Sequence, residues 1–228
     1  MPLLGHGAMV FWHDIEGDDA DYNHWHAYEH MPERVGIAGF HRGRRYLAIE
    51  GGPAYFNMYE TESAATLISQ PYLERLNSPT SWTTASLPKF RNSNRTLCRI
   101  SASFGKGVGG VLLTLQLAPA QDRADRLRDR LAGQLLPEFV TRPGIVGAHL
   151  LEADAAASRM ETAEKSLRDR PDEVADWVVL VEALDAPALK RLREAELGDV
   201  ALAEAGAGVI QNAALYRLFH LLSESELG

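Results

Sequence analysis

The chain has 228 residues, 46% of them apolar and 24% charged, with a net charge of −8. That length buries a sizeable core in one large or two small domains, and the acidic balance argues against a nucleic-acid-binding surface. No apolar run approaches the roughly 18 residues of a membrane span. Cys98 is the only cysteine, which excludes an internal disulfide and a cysteine-cluster metal site.

The start Met-Pro-Leu-Leu-Gly-His lacks the basic and apolar regions of a signal peptide, so a soluble protein of the reducing cytoplasm is expected. Residues 8–14 (AMVFWHD) form a short run of strand formers. The acidic stretch 16–21 then suits a helix start, and a helix over residues 19–34 ends at Gly36 and Gly39. Residues 40–50 and 54–60 read as a hairpin around Gly51-Gly52-Pro53. A second helix spans residues 63–76, interrupted at Pro71. A polar loop follows, and a strand over residues 96–104 closes the unit. The order is βαββαβ, the ferredoxin-like motif.

Gly105 to Gly110 reads as a linker, because it lacks the Lys-Ser/Thr ending of a phosphate loop. The order then repeats, with strands over residues 111–117, 145–152, 177–183 and 209–222 and helices over 121–140 and 186–196. Residues 153–175 form an insertion of loop with some helix. One constant offset matches Pro32-Glu33 to Pro137-Glu138, Gly39 to Gly144, Val10 to Leu115 and Trp12 to Leu117. The predicted fold is α+β: two tandem ferredoxin-like units, residues 1–105 and 106–228, burying their sheets on each other as a pseudo-dimeric barrel.

The first unit holds fourteen of the 18 aromatic residues and six of the eight histidines. A functional pocket is therefore expected there, with the second unit mainly structural. His30 suits general acid–base work, because imidazole titrates near neutral pH; the alternative is a helix-end residue bonded to backbone. His13 ends the first strand on the face of Met9 and Phe11, and either enters the same pocket or is solvated. Arg45 suits bidentate binding of a carboxylate or enolate, or an ion pair to a helix glutamate. Trp25, Tyr28, Tyr59, Trp82 and Phe11 are expected to line a pocket for a flat apolar ligand, or to be core. His26-Ala27-Tyr28-Glu29-His30 matches the H-x-x-E-H zinc pattern without a further ligand, so no metal is assigned.

The run Tyr22 to Arg34, followed by Gly39-Phe40 and Arg45-Tyr46, resembles the EthD-like members of the dimeric α+β-barrel superfamily. That resemblance implies barrel formation by paired units. It also implies one of several activities: cofactor-free monooxygenase, isomerase, cyclase or haem enzyme. The second half departs from the pattern, with Leu135-Leu136 in place of His-Met and Leu150-Leu151 in place of Arg45-Tyr46.

The expected activity is cofactor-independent chemistry on a small aromatic or enolisable metabolite. His30 and His13 would move a proton, and Arg45 and Tyr46 would hold the oxyanion. Non-catalytic binding of a small apolar molecule is the alternative, and a haem variant would use His149 or His220. A homodimer through exposed helices or strand edges fits the same composition; nucleic-acid and membrane partners do not.

Overall fold

The computed structural model describes residues 3–168 and 170–227. Its strands are β1 (Gly7–Ile15), β2 (Phe40–Glu50), β3 (Tyr55–Thr61), β4 (Phe90–Gly105), β5 (Val111–Pro119), β6 (Ile145–Ala153), β7 (Trp177–Ala183) and β8 (Ala207–Ser223). They pair antiparallel in one closed barrel, β1-β3-β2-β8-β5-β7-β6-β4. Each half has the ferredoxin-like order, β4-β1-β3-β2 and β8-β5-β7-β6.

The predicted sheet-on-sheet pairing is present, and the halves also bond edge to edge through β2–β8 and β4–β6. Closure removes the strand edges that were offered above as a route to a dimer. No helix among the described residues is long and apolar enough to cross a membrane.

Three apolar clusters fill the molecule. One lies inside the barrel and draws on both halves, with Val10, Trp12, Tyr46 and Phe56 meeting Leu112, Val178, Leu180 and Tyr216. The other two lie outside it, each between one half's sheet and its helices. Strand register decides which residue joins which layer, because neighbouring side chains point to opposite faces.

Register also corrects the constant offset proposed for the first strand. Val10 and Trp12 face the barrel interior, whereas Leu115 and Leu117 face the helices. The residue facing like Leu115 is Phe11, since Phe11 pairs with Asn57 where Leu115 pairs with Val179. The offset is one residue shorter in this strand than in the helix that follows.

In that helix the correspondence holds. Residues 19–35 run as α-helix Asp19–Trp25, a π-helical turn His26–His30 and α-helix Met31–Val35. The second half repeats this as Ala124–Arg130, a π-helical turn Leu131–Leu135 and Leu136–Phe139. Both helices lead into a glycine at φ +86°, Gly39 and Gly144. Only glycine adopts this conformation without strain. A Cβ on Gly39 would also meet Thr66 Cγ2 at 3.0 Å, while one on Gly144 meets Ala188 Cβ at 3.3 Å. Gly39→Ala is therefore expected to destabilise the protein by about 1–2 kcal/mol, and Gly144→Ala by somewhat less. Urea unfolding checks this; two neutral substitutions would contradict it.

Inside the barrel, Arg44 Nε meets Glu60 at 2.8 Å and its Nη1 meets Glu182 at 2.8 Å. His149 Nε2 lies 3.2 Å from Glu182, and its Nδ1 lies 3.0 Å from Ser103 Oγ. Burial alone would raise the Glu182 carboxyl, but the Arg44 charge and the His149 hydrogen bond hold it down to about 2. The network ties the two halves together.

Candidate functional site

The polar residues of the first half gather between its helix and the outer face of its sheet. Cross-strand pairing sets Arg45, Asn57, Phe11 and Arg95 in one row on that face. The same row of the second half is Leu150, Val179, Leu115 and Ala213. On the helix above, His26 and His30 stand where the second half has Leu131 and Leu135. Identical backbone positions thus hold an apolar core in one half and a polar set in the other.

A cavity of about 30 Å³ lies within this layer. Its floor is Met9, Phe11, Asn57, Tyr59 and Arg95, and its roof is His26, His30 and Arg34. Tyr72 and Phe90 form part of the wall. Leu76 and Leu87 add to that wall, and two residues come from the second half: Glu164 and Arg168, in the insertion between β6 and β7. That insertion crosses onto the first half, where Arg34 and Glu164 form a buried ion pair and Leu97 N–H donates to Ser158 Oγ at 2.9 Å. The second half, expected to be mainly structural, thus also contributes two side chains to the cavity lining.

Several buried polar atoms here lack a hydrogen-bond partner: both ring nitrogens of His26, Nδ1 of His30, Oδ1 of Asn57 and the hydroxyl of Tyr59. Buried polar groups are ordinarily paired, and each unpaired one costs about 1–3 kcal/mol. Burial, reinforced by Arg45, holds His26 well below 6.5. Burial, reinforced by Arg34 and Arg168, does the same to His30. Both are neutral at pH 7 and able to accept a proton. Their ring centroids lie 5.4 Å apart, and Trp25 packs on His30 at 4.4 Å.

Of the residues expected at the site, His30, Tyr59 and Phe11 line the cavity. Trp25 stands one layer behind, its Nε1 donating to Glu29 at 3.1 Å and Thr83 at 3.2 Å. His13 is buried beside it, sharing a 2.6 Å hydrogen bond with the Tyr22 hydroxyl and stacking on Phe11 and Phe90. Arg45 lies over the rings of Tyr22 and Tyr55 at 4.5 and 4.8 Å and donates to Asn23.

Three expectations need correction. Tyr46 faces the barrel interior, opposite Arg45, and its hydroxyl accepts from Arg44 at 3.0 Å. Adjacent strand residues cannot share a face. Tyr28 is 76% exposed, because the face of the helix that carries it points away from the sheet. Trp82 is half-buried at the rim of the first half's apolar cluster and does not line the cavity, its Nε1 donating to Asp21 at 3.3 Å. Sequence reading missed Asn57, Arg95, Glu164 and Arg168, all of which need strand register or the path of the insertion to be placed.

Nor does the metal pattern form a centre. Glu29 turns away from the cavity to accept from Thr80 Oγ1 at 2.6 Å, and the described residues hold no group of three metal-ligand side chains. The haem expectation fits poorly as well. Both nitrogens of His149 are engaged inside the filled barrel, and His220 stands beside Arg45 with burial holding its pKa down.

No family model matches the chain, and no curated protein matches it. Solved structures do. An anthrone oxidase-like protein aligns over 98% of this chain and 95% of its own, with a TM-score of 0.66 at 13% identity. The chain has the dimeric α+β-barrel fold. A "putative monooxygenase" of Fusobacterium nucleatum subsp. nucleatum aligns over 96% and 94%, with a TM-score of 0.61 at 7% identity. A major regulator of staphylococcal pathogenesis aligns over 93% and 99%, with a TM-score of 0.52 at 9% identity. These names differ in kind while the fold is shared, so the chemistry has to be argued from the cavity.

Proposed function

We propose that this dimeric α+β barrel is a cofactor-independent enzyme of EthD-like type, working in the cytoplasm on a small aromatic or enolisable metabolite. The observation that carries the proposal is the set of unpartnered polar atoms around neutral His26 and His30, where the second half has leucines. A neutral imidazole takes a proton from the substrate's acidic C–H or O–H, and the electron pair moves onto the substrate oxygen. The Tyr59 hydroxyl, kept protonated by burial, is free to donate to that oxyanion. Returning the proton to another carbon completes an isomerisation. Alternatively, the same carbanion adds to dioxygen, the imidazolium returns its proton to give a hydroperoxide, and loss of water leaves a carbonyl at that carbon.

Anthrone and phenylpyruvate, both aromatic and enolisable, test the shared first step. In D2O the protein is expected to accelerate hydrogen–deuterium exchange at the enolisable carbon of one or both, and His30→Ala to remove that acceleration. Exchange no faster than in buffer would reject the proposal. A second reading is binding without turnover, in which the same unpartnered polar atoms hold a ligand that is not transformed. Ligand binding without exchange would favour it.

A further inference from the structure

The cavity's arginines are not equivalent. Arg34 is paired with Glu164. Arg168 is held by Asp172 through two hydrogen bonds of 2.7 and 2.5 Å. Arg95 is 8% exposed, and among the described residues no carboxylate lies within ion-pair distance of it. Its one side-chain partner is the Tyr72 hydroxyl, at 2.8 Å. A buried guanidinium without a counter-charge is costly, and a fork of N–H donors facing a cavity matches a carboxylate.

A second feature points the same way. Outside the cavity is a groove of about 380 Å³ lined by Arg91, Ser93, Arg168, Arg170 and Glu173. Phe90 and Arg168 line both spaces and so form the partition between them. With the histidines neutral, the cavity's charged lining is three arginines against Glu164 alone. The positive excess disfavours a protonated histidine and favours an anion.

The geometry points to an anionic ligand, an aromatic or enolisable carboxylic acid, whose carboxylate is taken by Arg95. It enters from the groove as Arg168 exchanges Asp172 for the ligand. This rests on the reading of the cavity as the active site and adds the charge class of the substrate. It also accounts for the small volume, since the closed state is the one in which Arg168 stays with Asp172. Arg95 is here a specificity residue; proton transfer remains with the histidines.

Calorimetric titration of the full chain with phenylpyruvate and its methyl ester, and with benzoate and benzamide, tests the assignment. The acids are expected to bind roughly ten- to a hundredfold more tightly than their neutral counterparts. Arg95→Gln is expected to remove the preference and Arg95→Lys to keep part of it. If Arg95→Gln does not fold, Arg168→Gln carries the test and is expected to weaken acid binding alone. Equal affinity for acid and neutral form, no binding by either acid, or an undiminished preference in Arg95→Gln overturns the assignment. The outcomes separate it from the proposed reaction. Exchange catalysis without anion preference removes only this inference, and anion preference without exchange removes only the reaction.

Discussion

Replacing His26 and His30 together by leucine is expected to leave a protein that is more stable and inactive. Leucine is the residue at both matching points of the second half's π-helical turn, Leu131 and Leu135, so the backbone accommodates it. The substitution removes three buried ring nitrogens that lack partners. Relief of that desolvation cost, mainly at His26, is worth about 1–3 kcal/mol. Loss of a general base costs about 10²- to 10⁴-fold in rate. Opposite signs for stability and activity mark a site whose polar groups are kept for a ligand rather than for the fold. Urea unfolding and deuterium exchange on the same preparation measure both. A variant that loses stability along with activity would show the histidines to be structural.

Acid sensitivity is the second large expectation. Burial holds His13, His26, His30, His149 and His220 below 6.5. Well above pH 6.5 neither the folded nor the unfolded chain protonates them, and they leave stability independent of pH. As pH falls through 6.5, the unfolded chain gains protons that the folded chain excludes. Stability then falls by up to about 1.4 kcal/mol per pH unit for each histidine, and levels off only below the folded-state values. Carboxylates titrate lower, so unfolding free energies at pH 7.5, 6.5 and 5.5 isolate the histidines. The double leucine variant, which keeps three of these five histidines, should show about three-fifths of the slope. Stability that is flat or rises between pH 6.5 and 5.5 would mean that these histidines are charged in the folded state.

The fold was legible because it depends on local signals. Alternating runs, turn glycines and helix ends set seven of the eight strands near their observed positions, with Phe40–Glu50 and Trp177–Ala183 matched residue for residue. The exception was β4. Its first residues, Phe90 to Arg95, read as a polar loop because arginine and asparagine interrupt the apolar pattern. They form a strand because β1 pairs with them, Phe11 lying against Arg95. The helix Asp199–Ala205 was also missed, hidden in an alanine-rich stretch without a polar cap side chain.

The site was only half legible. Composition put the aromatic and histidine residues in the first half, and His30, Tyr59 and Phe11 line the cavity. Which residues join them is a matter of register. Asn57 stands between Arg45 and Phe11 only once three strands are aligned, and a one-residue slip sends Tyr46 to the barrel interior. Glu164 and Arg168 arrive from more than a hundred residues away, along an insertion whose path depends on Arg34 and Leu97. No local pattern encodes such a contact.

The π-helical turn is instructive for the same reason. Such turns gather at functional sites, yet both halves have one. The turn belongs to the fold, and the side chains on it make the difference.

The central claim is that the first-half cavity receives the ligand. Nitrogen-resolved NMR of the imidazole rings during titration with phenylpyruvate tests it most directly. The account predicts that the signals of His26 and His30 shift with saturation while those of exposed His6 and His24 stay in place. Binding that leaves His26 and His30 unmoved would contradict it.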